Sequence, residues 1–357
     1  MNIFSPVSAH TGYGLVGYNI WKHIYNHSPE KTTLFLQGQG SFEQNWDISA
    51  LKQSIDNRIH FNKDAPCFKL WHGNDLFTRT IGNSKYGVLS FFEIDKLTPI
   101  EKVSYNSADI IMMPSLWAKN VLENNGVTKP IVVIPQGVDT TIFNGLVSPP
   151  DKETRNTFVF LNVGKWEVRK GHDILVDMFN NAFNEEDDVE LWMINHNPFL
   201  NNEQTKQWGE LYSSSKLGSK IRFFPRLPDQ ATLSKVMSYA DCGIFPSRGE
   251  GWNNEALEMM AMNKPVIITN YSAHTQFCNK DNSYLIDIQE TESAFDNMWF
   301  HGEGNWATIG PDQIDQSIEH MRYVYKNNIR TNPSGLQTAQ DHSWTKTANS
   351  IISTMYS

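Results

Sequence analysis

The sequence predicts an α/β protein built from two Rossmann-like domains. Short apolar runs of strand length alternate with helix-length stretches, which implies mostly parallel sheets covered on both faces. The alternation stops near residues 145–156, where Pro149 and Pro150 sit in a polar run, and then restarts. A chain of 357 residues also suits two domains of ordinary size.

In the first half, strands are expected at 2–7, 33–36, 67–71, 87–92, 109–113 and 131–134. Helices are expected between them at 14–25, 99–106 and 115–125. The first strand runs through a glycine-bearing turn, Thr11-Gly12-Tyr13-Gly14, into a helix, which is the layout of a Rossmann-like first unit. In the second half, strands are expected at 157–163, 189–194, 221–224, 241–245 and 265–269. Helices are expected near 172–183, 203–214, 229–239 and 254–262. Beyond residue 290 the pattern reads as helical, with segments at 313–325 and 344–355. The acidic run Glu185–Asp188 reads as a solvated helix-to-strand loop.

Composition excludes several classes. Hydrophobic residues are 39% and charged residues 19%, too apolar for a disordered chain. No apolar run approaches the ~18 residues of a membrane span, and the first ten residues lack the basic and apolar regions of a signal peptide. Cys67, Cys242 and Cys278 are few, odd in number and far apart, so neither a disulfide framework nor a zinc site is expected. A reducing, cytoplasmic setting follows, with peripheral contact at a membrane left open. Residues 1–150 hold 12 basic and 12 acidic residues, so the net charge of −9 falls wholly on the remainder. That weighs against a nucleic-acid or anionic-lipid partner for the second half.

Four segments carry candidate chemistry. Between Phe245 and Ile267, Glu250 and Glu258 lie eight apart where a strand end enters a helix. Carboxylates there suit sugar or ribose hydroxyls, and the free N–H groups of Gly251, Trp252, Asn253 and Asn254 suit a phosphate or a polar sugar face. Between Asn162 and Phe179, Lys165, Arg169 and Lys170 follow the first strand of the second half. Gly12 and Gly14 would let backbone N–H groups approach a ligand. His72 lies at a strand end beside Asn74 and Asp75. Taken alone, each has a plain structural alternative: a cap, a solvated helix face, surface lysines or a tight turn.

Together, these segments resemble the retaining glycosyltransferases of the GT-B fold, in particular glycosyltransferase family 4 (glycosyl transferases group 1). The stretch from Pro246 to Ile267 is similar to the pattern P-S-x-x-E-G-(aromatic)-x-x-x-x-L-E-x-M-A-x-x-x-P-V-I. It departs from common family sequence in carrying Asn253 and Glu255 where Gly and Pro are frequent. Lys165 and Lys170 match the family's paired basic residues, with Lys165 in the place of an arginine; the guanidinium fork is lost and the charge kept. Residues 91–99 and 112–143 also resemble family sequence and read mainly as scaffold and hinge. Glu93 and Asp95 are expected near an acceptor or as helix caps.

The resemblance implies two Rossmann-like domains facing across a cleft. Residues 1–147 would form the acceptor domain, joined by a C-terminal helix at about 341–357, and 148–340 the donor domain. It implies transfer of a sugar, with retention, from a UDP- or GDP-linked donor to an acceptor hydroxyl, in glycan or polysaccharide synthesis. Glu250 would hold sugar hydroxyls, Glu258 the ribose, and Lys165, Lys170 and Arg169 the diphosphate. Gly12, Gly14 and residues 251–254 would line the donor, and His72 would lie beside the transferring sugar. Neither a metal nor another cofactor is expected. The acceptor stays open among a glycan, a lipid-linked sugar, a small molecule and a modified base of phage DNA. A sugar-nucleotide epimerase or phosphorylase and a catalytically silent sugar-nucleotide-binding protein are the rival readings. Trp299 and Trp306 are expected in the core or at a sugar site.

Overall fold

The computed structural model describes residues 1–77, 82–145 and 156–357. Two units emerge: Met1–Gly137 with His342–Ser357, and Val138–Asp341.

The first unit is built on six parallel strands: β1 (Asn2–Ser5), β2 (Thr33–Leu36), β3 (Cys67–Leu70), β4 (Tyr86–Leu89), β5 (Ile110–Met113) and β6 (Ile131–Val133). Their order is β2-β1-β3-β4-β5-β6. Its helices include α1 (Gly12–His27), α2 (Ile48–Asp56), α3 (Pro99–Asn106) and α4 (Leu116–Asn124). Local chemistry sets their starts. Thr11 caps α1 by accepting from the Gly14 N–H at 3.1 Å, and Thr98 with Glu101 forms a capping box on α3. A Cβ on Gly14 would lie 2.3 Å from the Ser8 carbonyl oxygen, so glycine is what lets α1 pack on the exit of β1.

The second unit repeats the architecture with β7 (Phe158–Gly164), β8 (Val189–Asn195), β9 (Ile221–Phe223), β10 (Cys242–Phe245), β11 (Val266–Asn270) and β12 (Tyr284–Asp287). All pair in parallel, in the order β12-β11-β10-β7-β8-β9. Numbered within the unit this is the 3-2-1-4-5-6 order of doubly wound dinucleotide-binding sheets. Its helices are α5 (His172–Ala182), α6 (Asn202–Ser213), α7 (Gln230–Tyr239), α8 (Asn254–Ala261), α9 (Pro311–Lys326) and α10 (Pro333–Asp341). An antiparallel hairpin, β13 (Thr291–Phe295) with β14 (His301–Ala307), stands apart from the sheet. The last helix, α11 (Trp344–Tyr356), returns to the first unit, where Trp344, Ala348, Ile351 and Met355 join the core with Val16, Ile20 and Trp21.

The structure corrects three expectations. Residues 291–307 form a hairpin, not helix. The division falls before Val138, because Val138 and Phe143 pack into the second unit's core with Val159 and Leu161; the expected boundary after residue 147 and most of the expected linker lie outside the described residues. Helix α2 and strand β12 were not anticipated. Among the described residues no helix is long and apolar enough to cross a membrane.

Candidate active site

The order of the second sheet reverses between β7 and β10, and ligands of open α/β sheets bind at the carboxyl ends of strands at such a point. The two loops leaving there carry the charged segments. Residues 165–171 follow β7, and residues 246–253 follow β10.

They interlock. The Arg248 N–H donates to the Arg169 carbonyl at 2.7 Å. Gly171 has φ +75°, and a Cβ there would sit 2.2 Å from the Pro246 carbonyl oxygen, so only glycine closes this contact. Arg248 forms a bidentate pair with Asp173 at 2.8 and 2.9 Å and hydrogen-bonds the Val168 carbonyl.

Glu250, 5% exposed, is the centre of the site. Its Oε2 meets Arg169 Nη1 at 2.8 Å, and its Oε1 meets Lys170 Nζ at 2.8 Å and accepts from Ser247 Oγ at 2.9 Å. Burial alone would raise its carboxyl, but Arg169 and Lys170 outweigh that and hold it well below the usual range. Burial disfavours the Lys170 ammonium, and Glu250 more than offsets this, so its pKa is raised. Arg169 also donates to the Gly249 carbonyl at 2.7 Å and pairs with Glu167 at 2.6 Å. Glu167 in turn holds Lys165 at 2.7 Å. The five side chains form one charge-alternating series: Lys165, Glu167, Arg169, Glu250, Lys170.

Two neutral histidines fix these loops. His172 is fully buried. Its Nδ1 accepts from the Glu167 N–H at 3.0 Å, and its Nε2 faces Asn162 Oδ1 at 2.9 Å, which assigns the proton to Nε2. Burial holds its pKa down to about 3. His274, held down to about 4 by burial, lies 2.9 Å from Asn253 Nδ2 and 2.9 Å from the Thr269 carbonyl oxygen.

Asn253 begins α8 in the left-handed region, at φ +83°. Asparagine is the best non-glycine residue there, and its side chain caps the helix by accepting from the Ala256 N–H at 3.2 Å. Asn253 thus adopts a left-handed backbone that glycine would also allow. Trp252 is core, packed on Phe277 at 4.9 Å between ring centroids, and Gly251 is buried beside it. Asn254 Oδ1 is buried with no hydrogen-bond partner among the described residues. Glu258 lies one turn further on, half-buried. Among the described residues no hydrogen bond or ion pair reaches its carboxylate. Burial, then the neighbouring Glu255, pushes its pKa well above the usual range.

The remaining candidates belong to the first unit, at the reversal of its own sheet between β1 and β3. Gly12 opens α1, exposed and with open space beside it, whereas Gly14 is buried against Ser8. His72 is exposed just past β3, with its ring 4.5 Å from Tyr13 and 4.8 Å from Trp71. Tyr13, unflagged in the sequence, donates to the Phe91 carbonyl at 3.1 Å and lies 5.1 Å from the Phe91 ring. Trp306 is core, 1% exposed, while Trp299 is 48% exposed at the hairpin turn and packs edge-on to Phe199. Glu167, Ser247, His172 and His274 escaped the sequence reading; the sign alternation from Lys165 to Lys170 was the available cue for Glu167. Among the described residues no cluster of His, Cys, Asp or Glu could hold a metal ion.

Residues 157–299, within the second unit, match the family described as glycosyl transferases group 1. An uncharacterized glycosyltransferase of Methanocaldococcus jannaschii is 25% identical over 62% of this chain and 53% of its own length. The mannosylfructose-phosphate synthase of Agrobacterium fabrum is 27% identical over 47% of this chain and 39% of its own length. The matches thus span about half or less of those relatives. The fold matches sucrose-phosphate synthase of Thermosynechococcus elongatus with a TM-score of 0.73, at 13% identity over 99% of this chain and 97% of that one. It matches Anabaena HepE in complex with UDP-glucose with a TM-score of 0.71, at 15% identity over 99% of both chains. The fold is GT-B.

Proposed function

We propose that the chain transfers a sugar from a nucleotide diphosphate donor to an acceptor hydroxyl, with retention at the anomeric carbon and without a bound metal. One observation carries this reading: Glu250 is buried against Arg169 and Lys170, while Glu258, on the adjacent helix, is half-buried and unpaired. A carboxylate held at a cost with no partner is suited to a ligand's paired hydroxyls, such as those of a ribose. Lys165 and Lys170 are the cations that meet the diphosphate and stabilise its growing charge as the glycosidic bond breaks. Ser247 and the two cations keep Glu250 ionised and oriented toward sugar hydroxyls.

No side chain in this cluster is a free nucleophile: Glu250 has both oxygens in ion pairs. That favours a front-face course in which the departing phosphate oxygen takes the acceptor proton, and the protein contributes positioning and charge. The Tyr13, Trp71 and His72 rings of the first unit suit the apolar face of a sugar ring, which favours a glycan-type acceptor.

The test is donor hydrolysis in water without acceptor, with the anomer of the released sugar read by NMR. Slow release with retained configuration is expected. Inverted product overturns the retaining course, and tight donor binding with no turnover supports the silent binding protein instead.

A further inference from the structure

We propose that Glu167 is a built-in counter-anion that fixes Lys165 and Arg169 and loosens the site's hold on the diphosphate so that product can leave. The inference rests on the diphosphate reading above and adds a residue to which that reading gives no role. Glu167 is buried and both its oxygens are engaged, Oε1 with Lys165 Nζ at 2.7 Å and Oε2 with Arg169 Nη2 at 2.6 Å. Its own backbone is fixed by the N–H bond to His172, whose ring is pinned by Asn162. Lys165 is different: its side chain is 43% exposed, and Glu167 is its one ion-pair partner among the described residues. Its remaining contact is the Phe199 ring, 5.7 Å away. An ammonium has three N–H donors. Lys165 can therefore keep Glu167 and still offer two donors to a phosphate oxygen.

The charge series explains the direction of the effect. Three cations and two carboxylates leave the cluster with a single net positive charge. Without Glu167 the same cations would face a diphosphate with one less negative neighbour. At an effective dielectric of about 40, between the protein-surface and water values, a unit charge roughly 7 Å away changes anion affinity five- to tenfold. Glu167 thus trades grip for position: Lys165 stays in place for the departing charge, and the nucleotide is not trapped.

Pyrophosphate titration of the purified full chain, at low salt, tests this without knowledge of the base or sugar. Glu167→Gln is expected to bind pyrophosphate roughly five- to tenfold tighter than wild type. Glu167→Asp, which keeps the charge, is expected to stay within about twofold. On a Lys165→Ala background the Gln effect is expected to persist, because Glu167 also pairs with Arg169 and its charge acts on the anion directly. Equal or weaker binding by a folded Glu167→Gln protein, with an unfolding midpoint like wild type, overturns the proposal and leaves the diphosphate reading standing. A wild type that binds neither pyrophosphate nor any nucleoside diphosphate overturns both. If Glu167→Gln unfolds in buffer alone, the same titration in a stabilising osmolyte such as sucrose carries the same expectation, since excluded osmolytes favour the folded state.

Discussion

Glu250 and Glu258 belong to one motif, and their surroundings drive them in opposite directions. Glu250 is paired, and its depressed pKa means its stabilising contribution is present above the unfolded value near 4.5 and is lost as pH falls through the folded one. Glu250→Ala should cost about 3–5 kcal/mol in urea unfolding, because Arg169 and Lys170 would stay buried without their carboxylate. Glu258 is unpaired with a raised pKa. Its contribution is full below about pH 4.5 and lost as pH rises through the folded value, so at neutral pH it is a liability. Glu258→Gln should therefore be about 1 kcal/mol more stable than wild type at pH 7.5 while losing donor affinity; lower stability with intact binding would contradict the assigned role. The motif spacing exposed both glutamates in the sequence. It could not show which was paired, because that depends on Arg169 and Lys170, some eighty residues away in the chain. Glu167 was less visible still, since a lone glutamate among basic residues reads as an ordinary surface group until its burial is known.

At the level of elements, the interior parallel strands such as β3, β4, β7 and β10 were legible because they are buried on both faces and read as continuous apolar runs; the edge strand β12, only partly buried, was not. The hairpin was not. Along β13 only Ala294 is buried, and along β14 only Gly304, Trp306 and Ala307 are, so neither strand shows an alternating pattern. Its turn is organised instead by Asp296 Oδ1, which accepts from the N–H groups of Met298, Trp299 and Phe300 at 2.8–2.9 Å. The helix α2 was missed for a similar reason: its start is set by Asp47 capping Ala50, a signal easily taken for a loop. The loop after β7 depends on Gly171. Gly171→Ala should destabilise the chain by about 2–3 kcal/mol in chemical denaturation, since it combines a left-handed φ with a clash against Pro246. The same loss should appear as weaker pyrophosphate binding, because Lys170 and Arg169 immediately precede it.

For the whole molecule, charge and acid response are the readable properties. His172 and His274 have folded pKa values of about 3 and about 4, below the unfolded value near 6.5. The unfolded chain takes up protons first, so stability should fall as pH drops from about 6.5 toward 4, and a flat thermal midpoint over that range would contradict their burial as neutral rings. The net charge of −9 leads to a second expectation, that duplex DNA is not retained even at low salt; salt-sensitive binding would reopen a DNA acceptor. Length and alternation made the two α/β units legible, and the motifs assigned the proposed donor site to the second. The sequence could not show how an acidic unit could offer an anion a site; the structure places Lys165, Arg169 and Lys170 in one series at the reversal of its sheet. The most direct test is a thermal-shift screen of nucleotide diphosphate sugars on wild type and Lys170→Ala. One donor should stabilise wild type by ~2.7 kcal/mol at a hundredfold excess over its dissociation constant, and the shift should vanish in the variant. No shift with any donor, or an equal shift in Lys170→Ala, would contradict the account.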